Sequence, residues 1–560
     1  MMRRRKPLLA IGSIAALGVL WPADRVLPVV LRDRAKTAGI DFVLRNDATQ
    51  QKYQIETMIA GVGVIDYNND GCEDIYFVNG ASIPTLKKTG PSFWNRLYRN
   101  NCAGVFTDVT AAAGVAGEGY SMAVAVGDYD NDGWSDLFVA GVNRNILFRN
   151  NRDGTFSDAI QKAGLGWEEP GKPWSISAGW FDYDNDGYLD LFVVNYCQWT
   201  PGLDRYCGLM KPGYRTYCNP KHYAGLSNLL YRNNGDGTFT DVSAVSGISK
   251  YIGKGMGVAF ADYDDDGRLD VFVANDTLPN FLFHNDGSGK FTECALRTGV
   301  ALNEDGVAVS SMGADFRDVD NDGAPDLFVS ALSNETFSLY RNAGKLGFVD
   351  ATHTSGIGIL SLPWSGWSTG IFDLNNDGWK DIFAAGSHVM DNEELYSSRT
   401  SRQPNRLFVN LGGARFQDGT PTALSTPRFH RGSAFGDFDN DGKIDVVVSC
   451  LNEPAELWRN ESDQTRHWLD LELEGTSSNR DGFGAKVRLV TGSGLVQHNH
   501  ASSSVGYASS SSRRVHFGLG NDAVAKTIEI RWSSGMRQVL EDVPADQRLK
   551  VKEPGRVSGK

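Results

Sequence analysis

Carboxylates recur along this 560-residue chain at a spacing that suits a hard divalent cation. From Gly127 to Val139 the sequence reads G-D-Y-D-N-D-G-W-S-D-L-F-V. This places Asp128, Asp130, Asp132 and Asp136 at positions 1, 3, 5 and 9 of a loop, with Gly133 at position 6 for a tight turn. Oxygen ligands at alternate positions, completed by a backbone carbonyl at position 7, suit Ca²⁺. The same spacing gives Asp66, Asn68, Asp70 and Asp74, then Asp182, Asp184, Asp186 and Asp190, then Asp262, Asp264, Asp266 and Asp270. It returns as Asp318, Asp320, Asp322 and Asp326, as Asp373, Asn375, Asp377 and Asp381, and as Asp437, Asp439, Asp441 and Asp445. Asn68 and Asn375 still offer a hard carbonyl oxygen. Position 12 is Phe77, Val139 or Val193 inside an apolar run, where an EF-hand needs Glu, so these are not EF-hands. The reading is up to seven structural Ca²⁺ sites; the plainer alternative is a set of Asx-rich turns without metal.

Other candidate chemistry is thinner. Gly366-Trp367-Ser368-Thr369-Gly370 has the G-x-S-x-G nucleophile spacing. That motif works on a strand–turn–helix elbow, whereas Ser368 leads into the sixth acidic loop, so it reads as a strand residue. His498 and His500 alternate on a presumed strand with His516 near in sequence, a weak transition-metal candidate against the commoner reading of surface histidines. No Walker loop, dinucleotide fingerprint, zinc-protease helix or haem-attachment motif occurs, so no catalytic or cofactor-binding residues are assigned. The net charge of −13 is local to the loops, and seven bound divalent ions would bring it close to neutral. No basic stripe for nucleic acid is present.

The elements that must position these loops form a repeat. The loops begin at residues 66, 128, 182, 262, 318, 373 and 437, each followed by an apolar run such as Leu191-Phe192-Val193-Val194. A Leu-aromatic-x-Asn signature follows, with aromatics at Tyr98, Phe148, Tyr231, Phe283, Tyr340, Phe408 and Trp458. Eight residues later comes Phe106, Phe156, Phe239, Phe291, Phe348 or Phe416, with no counterpart in the seventh copy. Four strands in each of seven units predict an all-β chain, a seven-bladed β-propeller over residues 29–462 with a smaller β-rich domain behind it. The missing seventh Phe strand predicts that residues 29–34 supply the fourth strand of the last blade and close the ring.

Three units carry extra residues between their second and third strands, near 80–94, 196–226 and 387–403, so all three insertions are expected on one face. Long loops gathered on a rigid scaffold are where recognition usually sits. The 196–226 insertion holds Tyr196, Trp199, Tyr206, Tyr214, Tyr217, His222 and Tyr223, which suit either a binding surface or a stapled loop with its own small core. Trp174 and Trp364, each in a Pro-Trp-Ser triplet, read mainly as blade packing.

Residues 1–28 pair a basic start with an apolar run from Leu8 to Leu20, a secretory signal or an uncleaved N-terminal anchor. That run is short for a membrane span. The expected location is the periplasm, the cell surface or the medium. Among seven cysteines, Cys207 with Cys218 and Cys72 with Cys102 are the expected bridges, and an odd number leaves at least one thiol over. Residues 463–553 form the second domain and 554–560 a tail.

The D-x-[DN]-x-D-G-x-x-D loops resemble the FG-GAP or VCBS-type repeats of integrin-like propellers. Asn479-Arg480-Asp481-Gly482, His516-Phe517-Gly518-Leu519-Gly520 and Arg531-Trp532-Ser533-Ser534-Gly535 resemble the landmarks of an ASPIC/UnbV domain. Together, roughly residues 29–550 are similar to bacterial relatives of the cartilage acidic protein (CRTAC) family. The calcium-binding EGF module of the animal members is not visible, so a matrix role is not carried over. The expectation is an exported, calcium-binding propeller that acts as a protein- or glycan-binding or adhesion module. The alternatives are a biosynthetic or modifying enzyme with its site in the channel or domain junction, as some relatives' association with enediyne biosynthesis implies, and a structural envelope component.

Overall fold

The computed structural model describes residues 28–166, 173–462 and 465–555. The leader reading over residues 1–27 and the last five residues of the tail lie outside the described residues. Seven four-stranded antiparallel sheets stand around a common axis as a β-propeller. Blade 2 shows the plan: Tyr120–Gly127 leads into the acidic loop, Asp136–Val142 leaves it, and Ile146–Asn150 and Phe156–Asp158 complete the sheet. The first two strands are buried along their whole length because neighbouring blades cover both faces, which is why their sequences are apolar without alternation. The outermost strand is three residues long and exposes all but its Phe.

Blade packing follows from small residues facing large ones. A Cβ on Gly370 would stand 2.3 Å from the Phe435 ring of blade 7, so only glycine lets that ring approach. Each first strand packs on the first strands of its neighbours, and blade 7 packs on blade 1. The ring closes as the missing Phe strand predicts. Leu31–Asp33 pairs antiparallel with Glu456–Asn460, Leu31 opposite Asn460 and Asp33 opposite Trp458. Blade 7 thus has four strands from the two ends of the propeller segment, and neither of these ends leaves a bare sheet edge.

Beyond the propeller, one sheet has His467–Glu474 between Val515–Gly520 and Gln547–Lys552. A second has Lys486–Thr491 between Val496–His500 and Val524–Arg531, with Arg537–Pro544 outside. Residues 501–514 leave this region and enter the propeller channel. There the Val64 and Val124 amides donate to the carbonyls of Ser510 and Ala508, at 2.9 and 3.1 Å, and Gly506 and Ala314 exchange backbone bonds. The innermost strand of every blade presents unpaired backbone groups to the axis, and a serine-rich, narrow segment satisfies many of them. The sequence expectation of a channel available for a site therefore meets a channel largely filled by the chain itself.

Candidate functional site

The acidic loops are wound by their own carboxylates. In blade 2, Asp128 Oδ1 accepts the Asp132 amide at 3.0 Å and Asp128 Oδ2 accepts the Gly133 amide at 2.6 Å. Asp132 Oδ1 accepts from Trp134 N, and Asp136 accepts from Tyr129 N and Asn150 N. These bonds turn the carboxylates inward, so that Asp128, Asp130 and Asp136 bring oxygens within 4.8 Å of one another, as do Asp182, Asp184 and Asp190 in blade 3. Asp130 Oδ2 accepts from Arg149 Nε at 2.6 Å, while its Oδ1 is buried without a hydrogen-bond partner. The same orphaned third-position oxygen recurs at Asp320 and Asp439, whose outer oxygens face Arg341 and Arg459. Burial, aided by like charges, pushes Asp128 and Asp74 up to about 8 and Asp182 up to about 7. A ring of hard oxygens that cannot all stay ionised alone, with one aimed at nothing, fits a divalent cation of the Ca²⁺ class.

Two asparagines that sequence reasoning did not assign to the loops tie them into a ring. The Asn that ends each Leu-aromatic motif donates its backbone N–H to the ninth-position Asp of its own loop and its side-chain amide to the second-position carbonyl of the preceding loop. Asn150 reaches Tyr67 O at 2.8 Å, and Asn100 reaches Phe438 O at 2.7 Å across the blade 7 to blade 1 seam. The fourth loop position is Asn in six loops and Asp265 in the other, a regularity visible in the sequence. Each of these seven residues has positive φ, between 53° and 59°, a region that Asn and Asp tolerate best after Gly. Asn69, Asn131, Asn185, Asn321 and Asn376 donate to the glycine carbonyl of the next loop.

The two junctions without that bond are served by the C-terminal domain, which sits on the loop face. Asp265 receives Lys486 at 2.8 Å and Arg531 at 2.6 Å. At the last junction Arg514 donates to both Asn440 Oδ1 and Gly71 O. The three sequence landmarks of this domain are its feet. Asp481 of N-R-D-G accepts the Asp128 amide at 2.8 Å on loop 2. His516 of H-F-G-L-G lies between Asp470 and Asn376 on loop 6, at 2.7 and 2.8 Å. Arg531 of R-W-S-S-G stands on loop 4. Arg317 Nη1 donates to His500 Nε2 at 3.0 Å, so His500 and His516 serve different contacts. Ser368 is buried: its Oγ accepts from Tyr507 N at 3.1 Å and donates to Ser433 O, which makes it an anchor for the channel segment.

On the opposite face, the 196–226 insertion crosses the channel mouth and meets the 387–403 insertion. Asn392 donates to Arg215 O at 2.9 Å, and the Tyr396 hydroxyl donates to Tyr214 O. Residues 51–56 hold the crossing from the side, where Arg215 donates to Gln51 and Tyr217 to Glu56. Insertion 80–94 folds around Lys88, whose Nζ donates to the carbonyls of Asn79, Gly80 and Phe93. The disulfide Cys207–Cys218 fastens the roof, and Cys72–Cys102 fastens blade 1, as expected. Cys197, Cys294 and Cys450 are free and buried. The insertion's aromatics divide between the two readings: Tyr196, Trp199, Tyr217 and Tyr223 are buried, while Tyr206 is exposed with its neighbours Leu203, Leu209 and Met210, the last 88% exposed.

Beneath the roof lies a chamber of about 560 Å³, within the range of small-ligand pockets. Met58, Met256, Met312 and Trp367 give it an apolar base; Asp276 and His388 are among its polar lining. The Asp276 carboxyl is pushed up to about 6 by burial and accepts from the Tyr196 hydroxyl at 2.6 Å. Burial pushes the His388 imidazole below its ordinary value. Trp174 is buried against Tyr196, so it packs under the roof.

Residues 66–139, 128–193, 223–273, 262–329, 318–384 and 392–448 match the FG-GAP-like repeat family, and residues 475–558 match ASPIC and UnbV. The chain is similar to cartilage acidic protein 1 of Xenopus tropicalis, 25% identical over 89% of this chain and 73% of that protein. It is 29% identical to the human protein of the same name over 56% of this chain and 46% of that one. It thus spans about half the length of the human and mouse relatives that it matches. Among solved structures it is similar to YCF48 bound to D1 peptide, with a TM-score of 0.42, 9% identity, 78% of this chain and 99% of that chain covered. A lectin of Agrocybe aegerita that recognises non-reducing terminal N-acetylglucosamine matches with a TM-score of 0.38 and 14% identity over 78% of this chain and 94% of that one.

Proposed function

Because the chain belongs to the FG-GAP-like repeat family and carries a C-terminal ASPIC and UnbV domain, we propose that it is an exported, calcium-bound propeller that holds a protein partner on its roofed face. The observation that carries this reading is the division of labour between the faces. The loop face is covered by the C-terminal domain, so it is the scaffold; the insertion face is where the repeats differ and apolar side chains stand exposed. Leu203, Tyr206, Leu209, Met210, Leu395 and Tyr396 are each at least 39% exposed on the two insertions that meet. A fastened loop loses little backbone entropy on binding, and aromatic and Met side chains are the ones enriched where proteins meet, which favours recognition of another protein.

The four side-chain oxygens of each loop, for example those of Asp128, Asp130, Asp132 and Asp136, would hold Ca²⁺. The ion would supply charge neutralisation in the ring and so stabilise the folded state. Two disulfides support an oxidising compartment, and among the described residues no helix is long and apolar enough to cross a membrane.

The test is a photo-crosslinking residue placed at position 210 in the full chain, expressed in its native host, with position 349 on an outer blade edge as the control. A discrete partner should be captured at position 210 and lost in Leu209→Asp/Met210→Asp, with the melting temperature unchanged. Equal capture from both positions, or retention by the double variant, overturns the assignment of this face.

A further inference from the structure

Blade 7 departs from the repeat at one buried place, at the root of the 387–403 insertion. Where its first strand begins, His430 stands opposite Cys450 in the register. The matching pairs are Ser175 with Asn195, Gly255 with Asn275 and Gly366 with Gly386 in blades 3, 4 and 6. On the third strand Glu456 pairs with Val448, two residues before Cys450, so the alternation of side chains puts Glu456 and Cys450 on one face of the sheet. The side chains converge: ligand atoms of His430, Cys450 and Glu456 lie within 4.8 Å of one another, and all three residues are at most 1% exposed.

The surroundings orient this trio as metal ligands are oriented. His430 Nδ1 faces two backbone carbonyls, Gly386 O at 2.8 Å and Gln403 O at 3.0 Å, so the ring proton belongs on Nδ1. Nε2 then points into the cluster, buried and without a hydrogen-bond partner. It is 3.2 Å from Glu456 Oε2, close to the edge of a tetrahedron with bonds of about 2.0–2.1 Å to nitrogen and oxygen. Glu456 is fixed in turn by Trp458 Nε1 at 2.7 Å and Asn405 Nδ2 at 3.1 Å, with Arg428 beside its other oxygen. Such outer partners set the tautomer and aim of metal-binding groups.

We propose that His430 Nε2, Cys450 Sγ and a Glu456 carboxylate oxygen bind one divalent transition-metal ion of the zinc class, separate from the calcium loops. Imidazole and thiolate select such an ion over Ca²⁺, which takes oxygen. The Cys450 S–H bond breaks as the sulfur–metal bond forms and its proton passes to solvent. With Glu456 charged and His430 neutral, the two negative charges then balance the ion, leaving no net charge in the cluster. The ion would tie three adjacent strands of the blade that joins the two ends of the propeller segment.

Because the site is buried, the ion enters as the chain folds. The test is expression of the full chain in zinc-depleted, cobalt-supplemented medium, followed by purification with excess Ca²⁺, metal analysis and an absorption spectrum. One tightly held Co²⁺ with a near-ultraviolet thiolate-to-cobalt band is expected, lost in Cys450→Ser, weakened in His430→Gln, and kept in Cys197→Ser and Cys294→Ser. Protein from zinc-replete medium should hold one Zn²⁺ per chain, which covers the case in which Cys450→Ser fails to fold. Absence of both metals from correctly folded protein, or a band that survives Cys450→Ser, overturns the proposal and leaves His430 and Glu456 as a buried ion pair.

Discussion

The side-chain amide of Asn131 in loop 2 donates to the carbonyl of Gly187 in loop 3 at 2.7 Å, and the same link joins five of the seven loop junctions. Asn131 occupies positive φ, so it supplies both the backbone turn and the inter-blade bond. Asn131→Ala removes the bond and puts alanine in a strained region. The combined loss is expected at about 1–3 kcal/mol. A urea titration of the calcium-loaded protein measures it, and an unchanged midpoint would show that the ring of loops does not bear on stability.

Removing calcium should act at long range. The C-terminal domain touches loops 2, 4 and 6 through Asp481, Arg531 and His516, so repulsion among loop carboxylates would disturb its footing as well as the blades. Chelation is expected to lower the melting temperature by several degrees or more and to expose the C-terminal domain to protease. Asp130→Asn, which leaves the Arg149 contact partly served but weakens the ligand set, should need more Ca²⁺ to restore stability. Identical melting curves with and without chelator would remove calcium from the account.

The channel segment gives a separate test. Gly506 has φ of +80°, and a Cβ there would lie 2.3 Å from Ser368 Oγ and 2.5 Å from Thr369 O. Gly506→Val cannot be seated, so the segment must leave the axis or the blades must part. A loss of about 3 kcal/mol or more is expected from such combined strain and overpacking. Tyr507→Phe removes only the hydroxyl bond to Met58 O and should cost about 1–2 kcal/mol. Differential scanning calorimetry of the two variants checks the order; a Gly506→Val protein as stable as the parent would mean that the segment is not held in the channel.

The repeat made most of the propeller readable because a strand–loop–strand unit must solve the same burial problem seven times. Strand count and ring closure by residues 29–34 follow from periodicity and from which copy lacks a part, and the disulfide pairs from which cysteines share one loop or one repeat. The channel segment was not readable. Ser502-Ser503-Ser504 and Ser509-Ser510-Ser511-Ser512 look like an ordinary polar loop, and their role arises only because seven inner strands leave backbone groups facing one axis. The same holds for the landmarks Asp481, His516 and Arg531, whose partners lie between 140 and 353 residues away in the chain. The crossing of one insertion to the opposite blade was equally hidden, since sequence gives the face on which a loop emerges but not its direction.

Asp276 should set a pH dependence. Its carboxyl is raised to about 6 in the folded protein, chiefly by burial, against an unfolded value near 3.9. A carboxyl raised by folding favours the folded state most below the unfolded value, and that advantage is lost as pH climbs to about 6. Wild type should therefore lose about 2–3 kcal/mol relative to Asp276→Asn between pH 4 and pH 7. Denaturant titrations across that range, run with saturating Ca²⁺, test it. Parallel stability curves for the two proteins would place the carboxyl at an ordinary value.

The two disulfides should separate roof from scaffold. Cys207–Cys218 closes an 11-residue separation within an insertion whose fold rests partly on its own buried rings. Cys72–Cys102 joins the first acidic loop to the far end of the third strand of blade 1 across 30 residues, inside the ring. Loop-closure entropy assigns about 3 kcal/mol to the first and about 3.6 kcal/mol to the second, but the cost falls on different units. Cys72→Ser/Cys102→Ser should lower the global melting temperature and the apparent calcium affinity together. Cys207→Ser/Cys218→Ser should leave both nearly unchanged while hydrogen exchange quickens across residues 203–218 and partner capture at position 210 falls. If instead the roof variant melts earlier and exchanges no faster locally, the crossing is part of the scaffold, and the division between a covered loop face and a recognition face fails.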